Sequence, residues 1–286
     1  MIFRMDSLQD LLEGRTAVPL SPRAVWKFTG ADRVRYLNGQ VTNDVTKLQP
    51  GRALHAAVCN AKGKMEGEVW ITVSDDALWV DAPPELRESL GARLERYIIA
   101  DDVTMEDLSD QVSGIHLLQE PATAARPPVH STRFHLPGVD FWKLGPLDSN
   151  WPLAPEKLVE TFRIQQGVPA WGREMTAQML PPEVGFDRDA ISYSKGCYIG
   201  QEVIARIKSK GHVNKKLARI SSAAGAPPAG LPSTLLHGGK EAGFLTSACA
   251  HPDGAGWIGL GIVKRELAEA GGAADIGGCP VTVSPA

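Results

Sequence analysis

Apolar and polar residues alternate over AVWKFTG (24–30), which predicts a half-buried strand that Gly30 closes. ADRVRYLNGQ (31–40) then places Val34 and Leu37 at helical spacing. Asp32 falls in its first turn, where the helix dipole favours a carboxylate. RALHAAVC (52–59) and MEGEVWITV (65–73) read as two strands around the glycine turn NAKGK, and ALWVDA (77–82) as a third. PPELRESLGARLERYII (83–99) predicts a helix, with proline at its start and Leu86, Leu90, Leu94, Tyr97 and Ile98 along one face. VTMEDL and GIHLLQ read as short strands, as does VDFWKLG (139–145). QEPATAARPPVH (119–130) and GPLDSNWPLAP (145–155) have the composition of loops.

EKLVETFRIQQG (156–167) predicts a helix closed by Gly167. IGQEVIARIK (199–208) predicts another, with Ile199, Val203 and Ile207 on one face. From residue 216 the texture changes to short apolar runs split by glycine and proline: KLARIS, STLLH, AGFLTSACA and GWIGLGIV. This pattern predicts a small antiparallel barrel or sandwich. SSAAGAPPAGLPS (221–233) reads equally as a domain linker or as a long loop inside that β-unit. The fold class expected is α+β over residues 1–213, followed by a C-terminal β-rich domain over 214–286.

Composition narrows the function classes. The 286 residues carry a formal charge of −3, so no global field favours nucleic acid or an anionic membrane. No run reaches the length of a membrane span. The opening MIFRMDSLQD is charged where a secretory signal would be apolar, and a cytoplasmic location is expected. Cys59, Cys197, Cys249 and Cys279 are far apart and form no C-x-x-C pair. No metal site built by this chain is expected, although a cluster held between chains is left open.

The stretch with the most chemistry is Lys195–Gly196–Cys197–Tyr198–Ile199–Gly200–Gln201–Glu202. Cys197 sits just before, or in, the first turn of a predicted helix, where free N–H groups and the neighbouring Lys195 favour a thiolate. Gly196 and Gly200 let backbone or ligand approach closely. A lone cysteine is more often a small packed hydrophobe, and Glu202–Arg206 is more often a solvated helix pair than a site. Lys208, Lys210, Lys215, Lys216 and Arg219 follow with no acid among them, which fits a solvated surface, a polyanion site or recognition of a ligand carrying several carboxylates. Aromatics are not interleaved with these lysines, which weakens single-stranded nucleic-acid binding.

KGCYIGQEVIAR resembles the signature K-G-C-Y-x-G-Q-E of the YgfZ family of folate-binding proteins, relatives of the glycine-cleavage T-protein and of iron–sulfur assembly factors. FTGADRVRYLNGQVTNDVTKLQPG (28–51), FRIQQGVPAWGREM (162–175) and PPEVGFDRDAISYSKGCY resemble the family's other segments. The resemblance implies two α+β subdomains and a C-terminal antiparallel β-barrel in a ring around a central folate pocket. It implies tetrahydrofolate as a non-covalent cofactor, and folate and iron–sulfur client proteins as partners, with no strong case for direct nucleic-acid binding.

The sequence departs from the T-protein at two places. The position of its essential aspartate is Gly67, with Glu66 and Glu68 as the nearest acids. Its folate-contacting glutamate is Gln165, so that either folate binds more weakly than in the T-protein or another acid, such as Glu183, serves. The residues expected at the pocket are Lys195, Cys197, Tyr198, Gln201, Glu202 and Arg206 of the signature stretch, with Arg163, Gln165, Asn43 and Trp171. Lys195, Arg206 and Lys208 attract folate carboxylates in this reading, Arg163 orders the pocket floor, and Trp171 stacks on a flat heterocycle or anchors a loop. Asn43 and Asp44 cap a loop or touch ligand. The implied role is a tetrahydrofolate-binding accessory protein for assembly or repair of iron–sulfur proteins, including tRNA-modifying enzymes. Its rivals are a folate-dependent aminomethyl transferase or demethylase using Glu66 or Glu68, and a tRNA-associated module using the basic run.

Overall fold

In the computed structural model, residues 7–122, 127–146 and 151–286 are described. The chain divides into two compact units, Met1–Leu158 with Arg188–Gln201, and Val159–Asp187 with Glu202–Ala286. The first holds α1 (Leu8–Leu12), β1 (Val18–Pro19), β2 (Ala24–Thr29), α2 (Arg33–Gln40), β3 (Ala53–Cys59), β4 (Met65–Ser74), β5 (Ala77–Ala82), α3 (Arg87–Glu95), β6 (Thr104–Asp107), β7 (Val112–Leu117), β8 (Val129–Ser131) and β9 (Gly138–Leu144). These strands form a five-stranded sheet in the order β3-β4-β5-β2-β6 and a four-stranded sheet in the order β1-β7-β9-β8. Next come α4 (Glu156–Gln166), α5 (Gln201–Lys210), β10 (Lys215–Ser222), β11 (Ser233–His237), β12 (Lys240–Ala250), β13 (Trp257–Lys264), α6 (Arg265–Ala270), β14 (Gly272–Ile276) and β15 (Cys279–Pro285).

The C-terminal strands close into a six-stranded antiparallel barrel, β10-β13-β12-β11-β14-β15. Its interior is filled by Ala218, Ile220, Leu235, Leu245, Trp257 and Val263, among others. The Gly/Pro-rich stretch 221–233 joins β10 to β11 inside this barrel, so it is a loop and not a linker. The second unit also takes in 159–187 and 202–213, so its limits differ from a cut at residue 213. The helix expected over 83–99 is shorter than its apolar pattern. It begins as a 3-10 turn at Pro84–Leu86 and its α-helical part ends at Glu95. Leu90 and Leu94 are buried, but Tyr97 is 39% exposed and lies 4.2 Å beneath the Arg93 guanidinium. Helix α6, strand β8 and strands β14 and β15 carry no clear pattern in the sequence. Parts of the two expected loops, 123–126 and 147–150, lie outside the described residues.

Packing of α3 on the larger sheet depends on a missing side chain. Gly67 of β4 turns toward α3, and a Cβ there would come within 2.7 Å of Leu90 Cδ2. Beside it Arg93 donates to Glu66 (2.6 Å), to Gln40 (2.9 Å) and to the Cys59 carbonyl (3.3 Å). Val58 pairs with Gly67 and Cys59 with Met65, which makes Glu66 the unpaired residue of a bulge.

A buried ionic network joins the two sheets of this unit. Arg133 forks onto Asp81 of β5 (3.0 and 2.8 Å) and donates through Nε to Asp140 of β9 (2.7 Å). Asp140 also accepts from Ser131 of β8 (2.8 Å) and faces His116 Nδ1 of β7 (2.7 Å). Burial alone would make these charges costly, but each here has a charged or hydrogen-bonding partner. We predict that Arg133→Met, which removes the cation shared by two buried carboxylates and leaves Asp81 to Arg23 and Asp140 to Ser131 and His116, lowers unfolding stability by about 3 kcal/mol. Urea denaturation measures this, and Arg133→Met with Asp140→Asn should recover part of the loss.

Candidate functional site

The signature loop is laid along the end of α2. Lys195 is buried, and its Nζ donates to the carbonyls of Asn38 (2.5 Å), Val41 (2.7 Å) and Asn43 (2.7 Å). Those carbonyls lie at and just past the C-terminus of α2, where a helix leaves acceptors unpaired and favours a cation. Burial pulls the amine down to about 8, and Asp44 opposes that shift. All three donors of the ammonium are thereby committed to backbone. Thr42 reinforces the contact: its Oγ1 donates to the Ala190 carbonyl (2.6 Å), and its own carbonyl accepts from Ser192 N (3.0 Å).

Gly200 completes the seat. Its φ is +89°, and a Cβ would lie 2.5 Å from the Asn60 carbonyl in the turn between β3 and β4. The close approach predicted for this glycine is therefore of backbone to backbone, whereas Gly196 faces open space. Tyr198 is buried, with its ring 5.1 Å from the Lys195 ammonium. Cys197 is exposed. Helix α5 begins only at Gln201, so Cys197 stands four residues before the helix and outside its first turn. The Lys195 ammonium, expected beside the thiol, is bonded to the carbonyls at the end of α2.

Asn43 is a pin. Its Nδ2 donates to the carbonyls of His55 and Asp189, both at 2.8 Å, and its Oδ1 accepts from Asp44 N (2.9 Å). Asp44 in turn caps the short turn at Val45–Lys47. These bonds bring Asp189 of the signature loop beside β3 and β4, and there a group forms that the sequence pattern did not single out. His55 Nε2 lies 2.9 Å from Glu68, and Nδ1 lies 3.4 Å from Asp189. The imidazole stacks on Trp70 with centroids 4.4 Å apart, and Arg133 lies 4.9 Å from the same indole. Burial would lower the pKa of His55, but the carboxylates of Asp189 and Glu68 outweigh it and raise it to about 9. Against the pull of burial, the His55 contact holds both carboxyls below their usual range. The three residues come from 55, 68 and 189, so no local motif could announce them. The one readable signal is that Glu68 sits next to Gly67. Gly67 faces the core, and Glu68 points to the opposite side of β4, toward His55.

The remaining expected residues lie in the second unit. Arg163 of α4 is buried and donates to Glu160 (2.7 and 2.9 Å), to Glu174 (3.0 Å), to Ser247 (2.7 Å) and to the Val168 carbonyl (2.6 Å). Glu174 is fully buried and also accepts from Thr246 and Ser247 of β12, both at 2.6 Å. Arg163 therefore fastens α4 and the 168–175 loop to the barrel. Gln165 is exposed, and its carbonyl accepts from Arg219. Glu183 is buried, and its carboxylate accepts from Leu180 N (2.8 Å). Trp171 is half-buried. Glu202 and Arg206 are both exposed, and among the described residues they make no ion pair, contrary to their favourable spacing. A separate cleft of about 510 Å³ opens in the first unit with Trp79 and Trp142 among its walls, and none of the expected site residues lines it.

Comparison with known proteins shows what the chain is similar to. No family model matches the chain. A tRNA-modifying protein YgfZ from Sodalis glossinidius is 29% identical over 88% of this chain and 86% of that protein. Proteins of the same name from Yersinia enterocolitica and Yersinia pestis are 27% and 28% identical over the same shares. These YgfZ proteins are homologues of the chain. The aminomethyltransferase T of the glycine cleavage system from Bartonella henselae superposes with a TM-score of 0.79 over 97% of this chain and 88% of that one, at 15% identity. The fold is therefore T-protein-like, as the signature implied. No helix among the described residues is long and apolar enough to cross a membrane.

Two predictions follow from the site. His55 should titrate near 9 by NMR. A folded pKa above the unfolded value of about 6.5 means that its stabilisation is complete below that pH and lost as pH rises toward 9. The difference in unfolding free energy between wild type and His55→Gln should therefore shrink by on the order of 2–3 kcal/mol between those limits. Among the thiols, Cys59 is buried and pushed up to about 12 by that burial, with Glu66 adding to the shift. Iodoacetamide on the folded protein should label Cys197 and spare Cys59, as peptide mass mapping would read; labelling of Cys59 before unfolding would contradict the buried placement.

Proposed function

We propose that this chain is a folate-binding helper of tRNA modification, acting in support of iron–sulfur enzymes in the cytoplasm. The observation that carries the reading is similarity, over 88% of the chain, to relatives named as tRNA-modifying proteins. The T-protein-like fold supports a folate as the ligand. The site chemistry fits. A reduced pterin presents an edge of adjacent N–H donors, and carboxylates are the natural acceptors for it. Asp189, with its side chain 35% exposed, offers such a group, held ionised by His55 behind it. Glu68 supports His55 from the other side (2.9 Å). In this arrangement Lys195 is a positioning residue. It holds the loop that carries Asp189, and does not itself meet the ligand.

A second reading, a folate-dependent one-carbon transferase, is favoured by one observation. Glu68, and not Gly67, faces the ionised His55–Asp189 group. Turnover of a methylated or aminomethylated amine, lost in Glu68→Gln, would establish it.

Calorimetric titration with tetrahydrofolate and its polyglutamylated forms tests the main reading. Wild type should bind, and Asp189→Asn should bind about tenfold more weakly, the equivalent of one charge-assisted hydrogen bond. Absence of wild-type binding would sink the ligand assignment.

A further inference from the structure

The second unit carries cations that no acid among the described residues pairs with. Lys215 opens β10 and Lys264 closes β13, and the two are direct cross-strand partners, both exposed. Like charges placed opposite one another on adjacent strands repel. Arg265 N donates to the Asn214 carbonyl (2.9 Å), which holds the end of the 211–214 connection against this corner of the barrel. That connection leads directly from α5, which exposes Arg206, Lys208 and Lys210.

The acids nearby are already matched. Glu269 takes Lys216 (2.8 Å) and Arg265 (3.7 Å), and Glu266 takes Arg265 (3.0 Å). Arg206, Lys210, Lys215 and Lys264 have no ion pair among the described residues. On α5 the acid is Glu202, at the far end from Lys210. A protein with a net charge of −3 thus concentrates uncompensated positive charge on one helix end and one barrel edge.

We propose that this surface, Arg206, Lys210, Lys215 and Lys264, docks the phosphate backbone of a folded RNA. The assignment rests on the tRNA-modification reading for its choice of polyanion, and on the unpaired lysines for its location. Phosphates spaced along a duplex relieve the Lys215–Lys264 repulsion, which no ion pair among the described residues does. Contacts of this kind position an RNA by shape and charge without reading bases.

Fluorescence-polarisation titration of the full chain with labelled unfractionated tRNA tests it. Four phosphate contacts on a duplex predict a log–log salt slope of about −3.6. Lys215→Glu with Lys264→Glu should weaken binding at least tenfold and flatten the slope by about 2. Arg52→Glu, an exposed change in the first unit, should leave both unchanged. Each of three results would overturn the proposal: no tRNA binding by wild type, equal loss in Arg52→Glu, or tighter binding of polyglutamate than of tRNA at matched charge, which would point to an acidic protein. Tetrahydrofolate titration of the same double variant separates the two readings. Intact folate binding with unchanged tRNA binding removes the RNA surface alone, whereas failure of folate binding in wild type removes the ligand reading and leaves this surface standing on its own titration.

Discussion

Lys195 puts a positive charge where water cannot reach it easily, and the fold answers with three backbone carbonyls. An ammonium has three donors, and each finds an acceptor, so the desolvation of the charge is offset without a carboxylate. The acceptors are of the kind a helix end leaves unpaired, so one contact satisfies both the lysine and the terminus of α2. The geometry is demanding. Nζ can meet Asn38, Val41 and Asn43 together only if the signature loop runs along 38–44. Thr42, bonded to Ala190 and Ser192, fixes the same register. Asn43 then carries the constraint outward to His55 and Asp189.

The signature is therefore chiefly an architectural device, and the chemistry stands beside it. Gly200 lets the loop touch the β3–β4 turn, Tyr198 is buried beside the Lys195 ammonium, and Lys195 locks the loop. What the locked loop delivers is Asp189, set against an imidazole that Glu68 holds from behind. Trp70 makes the link to the scaffold, since His55 stacks on it and Arg133 lies against it while joining the two sheets. The buried Arg133 network and the His55 group thus share one indole as a neighbour.

Much of the fold was readable because its elements obey simple periods. The strands read over 24–30 and 65–73 and the leucines of α3 met the structure closely, and the β-rich tail is a barrel. The errors have physical causes. Tyr97 and Ile98 continue the helical spacing of 86–94, but the backbone there closes with Tyr97 N to Leu94 and Ile98 N to Glu95 bonds, a tighter turn than the α-helix. Strands β14 and β15 are rich in glycine, alanine and proline, and their pairing is decided by barrel closure, not by local pattern. The site was half legible. The motif named the loop, but its lysine looked like a ligand group, because sequence shows a charge and not the carbonyls that will surround it. Asp189, His55 and Glu68 were invisible as a set, since only tertiary structure brings them together.

Charge compensation separates structural from functional ions in this chain more sharply than burial does. Arg93, Arg133 and Arg163 are each enclosed by acceptors, and nothing is left for a ligand to gain there. Lys195 is likewise enclosed, by three backbone carbonyls. The incomplete cases differ in kind. Asp189 keeps part of its carboxylate in the open, although His55 has already set its charge. Lys215 and Lys264 face one another with no acid between them. A scaffold gains nothing from a like-charged cross-strand pair or from a half-used carboxylate, because either could be replaced by a neutral residue at no cost to packing. In the readings proposed above, a donor edge would complete the first and phosphate the second.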